Sequence, residues 1–407
     1  MTYSELEKIS KNSMNNECEV CLFGAGVRGK TRCFDFVRYF GIKIDFYCDN
    51  KVAPETIIRD GIKVRDIQYL YENKDNIYVF LTVGPNYQKE ILDQLSEHGV
   101  YNIITIDWFL VSQVLDSIEA SGDGAVKQKY HEFYNDKEFL EKYFEHWMEY
   151  KIDFNNPSTF NEKIQWLKLY NHKPEYTRMV DKYEMRQFVE ERIGSGYTVP
   201  LIGVWESFDD IDFDQLPKQF VLKCNHDSGS IVIVQDKDKF DIEDAKEKIN
   251  RTLSTNYYWR AREWAYKNVK RKIIAEPYLY DAKQKELLDY RFFCFNGEVK
   301  AIIVDFDHTL NKIGRRNFYN KYWEYMPLSL HYPTAPETII EKPKCMEEMI
   351  EIAEKLSVSI PHIRIDFYII DDRPIIGELT FYHAAGSQKF SPKKWDKIFG
   401  DWIDLPN

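Results

Sequence analysis

The stretch Arg364-Ile-Asp366-Phe-Tyr-Ile-Ile-Asp-Asp-Arg-Pro-Ile-Ile-Gly-Glu378-Leu-Thr380 reads as a strand, a turn over Asp371–Pro374 and a returning strand. Residues two apart on a strand point to the same face, so Arg364 pairs in direction with Asp366, and Glu378 with Thr380. One face of the hairpin therefore carries a guanidinium, two carboxylates and a hydroxyl, and apolar residues alternate with them. Facing carboxylates repel unless a cation sits between them. Hard oxygen ligands on rigid strands suit Mg²⁺ that bridges nucleotide phosphates. The plain alternative is a surface hairpin with a wet polar face.

Working outward, composition sets the frame. The chain has 407 residues, 44% hydrophobic and 15% aromatic, enough for two or three folded domains. The net charge is −11 and no Lys/Arg-rich block occurs, which argues against a nucleic-acid or anionic-membrane surface. No apolar run approaches the roughly 20 residues needed to span a bilayer, and the N-terminus lacks the layout of a secretion signal. The expectation is a cytoplasmic protein without stable membrane insertion. Seven scattered cysteines fit a reducing compartment. Cys18-Glu-Val-Cys21 has no second pair to complete a zinc site.

Residues 18–108 alternate strands and helices, as in a small doubly wound parallel domain. Gly24-Ala-Gly26-Val-Arg-Gly29 follows the apolar strand Glu19–Phe23 and precedes a helix, the context of a phosphate-binding turn. Asp49 stands where a ribose-binding acid is expected. A scaffold domain with a tight glycine turn and no ligand reads equally well. Residues 114–127, with Ser-Gly-Asp-Gly-Ala, read as a linker. The expected domains are therefore 1–113, Rossmann-like and of nucleotide- or nucleotide-sugar-binding type, and 128–407. The overall class is α/β with α+β.

In the second domain, Lys223 ends the apolar strand Phe220–Leu222 and is followed by Asp227-Ser228-Gly229-Ser230. A lysine at the base of a small-residue turn neutralises phosphate oxygens while backbone N–H groups close over them. It also reads as a solvated lysine beside a turn. Lys182 opens the helix Tyr183–Glu191. Ile273-Ile-Ala-Glu276-Pro-Tyr278 is an apolar strand broken by Pro277. Asp289 and Arg291 share a strand face, for ligand contact or simply to pair with each other. Arg315-Arg316 and His383-Ala-Ala-Gly386-Ser-Gln-Lys389 are further polar segments, with His383 and Lys389 as candidates for substrate contact.

These segments occur in order with Asn156-Pro-Ser-Thr-Phe-Asn-Glu-Lys-Ile-Gln-Trp166 and Asp289-Tyr-Arg291-Phe-Phe-Cys-Phe-Asn-Gly297. Over roughly residue 128 to the end, the chain closely resembles the TupA-like branch of the ATP-grasp superfamily. The hairpin resembles that superfamily's Arg-x-Asp…Glu-x-Asn metal end, with Thr380 where Asn is usual. The first domain more weakly resembles the Rossmann-like modules attached to surface-polysaccharide enzymes. The resemblance implies an ATP-grasp fold with ATP and Mg²⁺ as cofactors. Mg²⁺ would lie on Asp366, Glu378 and Thr380. Phosphates would meet Lys182, Lys223, Ser228, Gly229 and Ser230. Adenine would meet Glu276 and the backbone near Tyr278. Arg364, Arg291 and Asp289 would act on the reacting groups. Gly24, Gly26 and Gly29 would hold a nucleotide or nucleotide sugar in the first domain. The implied activity is amide formation through an acyl phosphate, between a uronic acid (or its UDP form) and an amine, in capsule or cell-surface polysaccharide synthesis. The alternatives are a glycosyltransferase of the same pathway and a non-catalytic scaffold. Gly is frequent in the family where Asp227 stands here, which puts the loop's conformation in question.

Overall fold

The computed structural model describes residues 1–131, 135–280, 287–307 and 314–406. The chain divides into two compact units, Met1–Lys129 and Tyr130–Asn407. All seven cysteines are buried and free. No described helix is long and apolar enough to cross a membrane.

The first unit is built on strands β1 (Glu19–Phe23), β2 (Phe46–Cys48), β5 (Ile77–Leu81) and β6 (Ile103–Thr105), parallel and ordered β2-β1-β5-β6. A small hairpin, β3 (Ile57–Arg59) and β4 (Ile62–Lys63), follows β2. Near-continuous apolar runs are what a parallel sheet covered on both faces requires, and Val20 to Phe23 and Ile77 to Leu81 supply them. Gly24 has φ +111°, and a Cβ at Gly29 would fall 1.8 Å from the Gly24 carbonyl oxygen. The Thr82 hydroxyl also closes on that turn, donating to the carbonyls of Phe23 and Gly24 at 2.9 and 2.8 Å. Close packing of the turn thus requires two of its three glycines. Asp49 is committed to backbone: its carboxylate accepts from the amides of Ala25 (2.7 Å), Lys51 (2.8 Å) and Val52 (3.1 Å). The acid read as a ribose ligand is therefore the brace of the turn.

The linker expected at 114–127 is corrected. Residues up to 120 continue the helix Trp108–Ala120, with Val114, Leu115 and Ile118 fully buried, and a second helix, Gly124–Lys129, follows. The Ser-Gly-Asp-Gly cluster is only the break between them. Apolar residues every three or four positions in Val114-Leu-Asp-Ser-Ile118 are the helical signal that outweighs the turn residues.

The second unit holds two antiparallel sheets. The smaller runs β7-β10-β8-β9, from β7 (Gly203–Trp205), β8 (Phe220–Cys224), β9 (Val232–Val234) and β10 (Ile273–Pro277). The larger runs β14-β13-β12-β11-β16-β17, from β11 (Asp289–Phe295), β12 (Glu298–Phe306), β13 (Arg315–Tyr319), β14 (Tyr325–Met326), β16 (His362–Ile370) and β17 (Arg373–Thr380). Two short strands, β15 (Ser329–Leu330) and β18 (Phe390–Ser391), pair separately. Helix Phe160–Tyr170 begins with a capping box in which Thr159 and Glu162 satisfy each other's backbone amides.

The β16–β17 hairpin turns on Asp371 and Asp372, both with left-handed backbone (φ 51° and 64°), the conformation that matches strand twist in a two-residue hairpin. Register then decides chemistry. Ile370 pairs with Arg373 and Phe367 with Ile376, but Asp366 pairs with Glu378 and Arg364 with Thr380. Gly377 is the extra residue, a bulge. Without it Asp366 would oppose Gly377, and Glu378 would point to the other face. A Cβ at Gly377 would lie 2.7 Å from the Tyr368 ring, so the bulge is made at the residue that has no side chain to place.

Candidate active site

One cavity gathers Lys182, Lys223, Cys224, Asp227 to Ile231, and Glu378. Lys223 and the Asp227–Ser230 loop come from the small sheet, and Glu378 from the large one, so the cavity lies between the sheets. Lys182 is almost fully buried rather than exposed at a helix start, and its ammonium donates to the Asp227 carbonyl. Lys223 lies 2.6 Å from Glu276. Burial pushes the Lys223 ammonium below its ordinary range. Glu276 opposes that shift, while Lys182 and Arg186 add to it by like-charge repulsion. Lys223 and Arg186 share the one Glu276 carboxylate, with Lys182 nearby, so the site favours a further anion.

β10 runs between β7 and β8, so Glu276 stands on an inner strand of its sheet. Its carboxylate is also held by Lys223 and by Arg186, which removes it as a free acceptor for adenine. Arg186 keeps a buried Nη1 without a partner. Asp227 does not add charge towards phosphate. Its carboxylate folds back to accept from the Ser230 amide (3.0 Å) and hydroxyl (2.6 Å), and the Ser230 oxygen accepts from the Cys224 amide (2.9 Å). The extra acid is thus a local brace of the loop. Tyr278, just past β10, accepts a hydrogen bond from Gln235 through its hydroxyl (2.9 Å).

On the large sheet the charged side chains form a band across adjacent strands. Arg364 is the hub. Its Nε and Nη2 donate to both oxygens of Asp366 at 2.6 Å, Nη2 also reaches Glu378 Oε1 (2.6 Å) and Thr380 Oγ1 (3.3 Å), and Nη1 reaches His383 Nδ1 (2.8 Å). The Arg364 guanidinium thus lies between the facing carboxylates of Asp366 and Glu378. Arg291 pairs with Asp289 (2.7 Å) and Asp305 (3.1 Å), and stands 3.8 Å from Asp366. Asp305 in turn makes a bidentate pair with buried Arg316 at 2.6 and 2.7 Å. Arg316 is thus neither a solvated turn residue nor a free anion binder. Lys389 sits on the surface with Glu149 (2.8 Å), away from the band, whereas His383 is inside it. Burial pushes the Asp366 carboxyl upward and Arg364 opposes it. Burial would also raise Glu378, but Arg364, Lys182 and Arg291 prevail and draw it down to about 2.

Among the described residues, Glu378 Oε2 accepts no hydrogen bond, Thr380 Oγ1 donates to Glu378 Oε1 (3.1 Å), and Asp289 Oδ1 is buried without a partner. No cluster of three or more His, Cys, Asp or Glu forms a cage among those residues. That combination fits Mg²⁺, which is usually held by one or two carboxylates together with substrate phosphates and water. Glu378 and Thr380 fit directly, and Asp366 fits where Arg364 yields an oxygen.

Asp305, Arg186 and Arg316 complete the charge band and the lysine site, and sequence reading did not assign them a role there. Asp305 offered one signal, a lone acid inside the apolar run Ala301–Phe306.

Two sheets closing on a lysine-lined cavity, with a carboxylate hairpin at its wall, have the form of an ATP-grasp fold. Within that class, residues 162–404 match the TupA-like ATP-grasp family, which is more than half of the chain, and the chain belongs to it. Enzymes of this class use ATP and Mg²⁺. No curated protein matches the sequence. Among solved structures, the chain is similar to D-alanine–D-alanine ligase from Bacillus anthracis complexed with ATP (14% identity, 89% of this chain and 84% of that one, TM-score 0.29). It is also similar to L-amino acid ligase from Bacillus licheniformis (10% identity, 91% and 68%, TM-score 0.31). A third is the RimK domain ATP-grasp protein from Sphaerobacter thermophilus (10% identity, 95% and 99%, TM-score 0.33).

Proposed function

We propose that the protein is an ATP-dependent carboxylate–amine ligase that forms an amide through an acyl phosphate. The observation that carries this is the cavity that brings Lys182, Lys223 and the Ser228–Ser230 loop against Glu378. Lys182 and Lys223 hold nucleotide phosphates by charge, and the loop amides close over them. Glu378, Thr380 and Asp366 would hold Mg²⁺, which when bound would neutralise charge on the phosphates. The substrate carboxylate is positioned in line with the γ-phosphate, where orientation and electrostatics account for most of the rate. Arg364, with Arg291 beside it, stabilises the oxyanion that develops as the amine adds. The Asp289 and Asp305 carboxylates keep Arg291 extended along the sheet.

The acid is a hexuronic acid or an acidic amino acid, and the amine an amino acid or small aminoalcohol, in cell-surface polysaccharide synthesis. Family membership supports that choice. The glycine turn of the first unit is the place for a nucleotide-sugar form of the acid. Gly26 supports this, since a Cβ there would meet nothing within 4 Å, whereas Gly24 and Gly29 are needed by the turn itself.

The test is ADP release from Mg·ATP with a panel of uronic acids, their UDP conjugates and amines. ADP formation that needs both partners, and a product lighter by one water than their sum, is expected. Sugar transfer from a UDP conjugate without ATP consumption would replace the ligase by a glycosyltransferase.

A further inference from the structure

Lys223 lines the cavity, yet its ammonium is already engaged. It stands on β8, and on neighbouring β10 Ile274 pairs with Lys223 and Glu276 with Val221. Lys223 and Glu276 are therefore diagonal neighbours on one face of the small sheet, a spacing that long side chains bridge. They meet at 2.6 Å through Glu276 Oε2. The other oxygen, Oε1, accepts from Nη2 of Arg186. One carboxylate is thus divided between two cations.

Arg186 reaches Glu276 from helix Glu184–Ile193. The segment leading into that helix is docked on the loop after β8. The Lys182 amide donates to the Asn225 carbonyl (3.0 Å), and Asp181 accepts from the Asn225 side chain (2.7 Å). Arg186 itself is anchored by Nε, which donates to the Val199 carbonyl (3.0 Å). Its Nη1 is buried and has no hydrogen-bond partner. The Arg186 and Lys223 side chains are each 13% exposed and that of Glu276 is 7% exposed. Among the described residues, Lys223 lines the cavity and Arg186 and Glu276 do not.

This arrangement sets two anions in competition for one lysine. A lysine that takes a phosphate oxygen gives up part of its hold on Glu276. A carboxylate this buried is strongly disfavoured without a cation, so Glu276 alone would retain Lys223. Arg186 weakens that retention. Its charge is permanent and it already holds Oε1. Nη1 is a spare donor for the oxygen that Lys223 vacates.

We infer that Arg186 is a positioning residue for the nucleotide: by holding Glu276 it releases the Lys223 ammonium to the phosphates. This rests on the reading of Lys223 as a phosphate ligand. Glu276 competes with the phosphates for Lys223, and Arg186 sets the strength of that competition.

Calorimetric titration of the full chain with ATP in excess Mg²⁺ compares wild type, Arg186→Met, Glu276→Gln and the double variant. Arg186→Met leaves Glu276 paired with Lys223, and the double variant removes both charges together, so neither strands a buried carboxylate. Arg186→Met should weaken ATP binding about tenfold, the size of one hydrogen bond to a charged group. Glu276→Gln should bind ATP at least as tightly as wild type. In the Glu276→Gln background, Arg186→Met should cost less than about threefold, because no carboxylate is left to hold Lys223. A guanidinium that touches the nucleotide, or attracts it through space, would cost the same factor in both backgrounds and overturn the inference. Wild-type affinity in Arg186→Met, or a comparable loss in Glu276→Gln alone, would overturn it as well. If Arg186→Met melts far below wild type, the comparison of Glu276→Gln with the double variant decides: equal affinity supports the inference, and weaker binding by the double variant refutes it. Absence of ATP binding by wild type would instead overturn the reading of Lys223 on which the inference rests.

Discussion

Removing the guanidinium at the centre of the band is the sharpest perturbation the geometry offers. In Arg364→Met the side-chain stem is largely kept, so apolar packing changes little. The charge is lost while Asp366 and Glu378 still face each other across paired strands. The lost contacts are two to Asp366 at 2.6 Å, one to Glu378 at 2.6 Å, one to His383 at 2.8 Å and one to Thr380 at 3.3 Å. Taking one partner from a buried ion pair costs about 3–5 kcal/mol, because the other charge stays buried. For a unit the size of Tyr130–Asn407, each kcal/mol corresponds to about 2 °C, so the melting temperature should fall by roughly 6–10 °C. The same two carboxylates would then accept a free cation. Mg²⁺ at about 100 times its dissociation constant would restore about 2.7 kcal/mol. Scanning calorimetry with Mg²⁺ and with EDTA measures both effects. A melting temperature unchanged by the substitution, or a variant indifferent to Mg²⁺, would refute the claim that Arg364 occupies the gap between two facing carboxylates.

Asp366→Ala and Glu378→Ala should each abolish ATP turnover, and unchanged ADP release in both would remove the metal assignment. Lys223→Met should raise the KM for ATP by about 10–100-fold, since a charge-assisted phosphate contact is worth about 1.5–3 kcal/mol. It should leave the fold intact, because Arg186 still neutralises Glu276, and ATP titration followed by calorimetry checks both. His226, His362 and His383 are held below the ordinary histidine range by burial, His226 to about 4 and His362 to about 3. Below about pH 6.5 the unfolded chain binds protons that the folded chain refuses, so stability should fall as pH drops through that range. With three such groups the slope approaches about 4 kcal/mol per pH unit, and urea unfolding at pH 7 and pH 5 reads it. Glu378, drawn down to about 2, still contributes fully at pH 5, because its share is lost only below the ordinary carboxylate range.

Much of this geometry was legible from residue order. Alternation in Arg364-Ile-Asp366 and Glu378-Leu-Thr380 marked the polar face, and the apolar run ending in Lys223 marked the loop that lines the cavity. What sequence did not show was parity. A two-residue turn places Asp366 opposite Gly377, and only a bulge at a residue without a side chain brings Glu378 to the same face. Counting along each strand put these residues on one face without revealing that requirement. The partners of Glu276 were hidden for another reason. Arg186 is far away in sequence on a helix whose pattern gives no sign of ion pairing, so an acid that reads as a free acceptor proves to be neutralised. Asp49 misled in the same way. It looks like a ribose ligand by position, but like Asp227 it spends its oxygens on local backbone or hydroxyl donors, which short acidic side chains in turns commonly do. The linker reading failed because a four-residue polar break was weighed above the helical spacing that precedes it.

The central claim is that a substrate carboxylate takes the γ-phosphoryl group before the amine attacks. Isotope transfer tests it most directly. With the acid labelled by ¹⁸O in both carboxylate oxygens, each turnover should leave one ¹⁸O in the amide and deliver the other to inorganic phosphate, detected by mass spectrometry. Phosphate free of ¹⁸O, with both labelled oxygens retained by the acid or its product, would contradict the acyl phosphate and the ligase account with it.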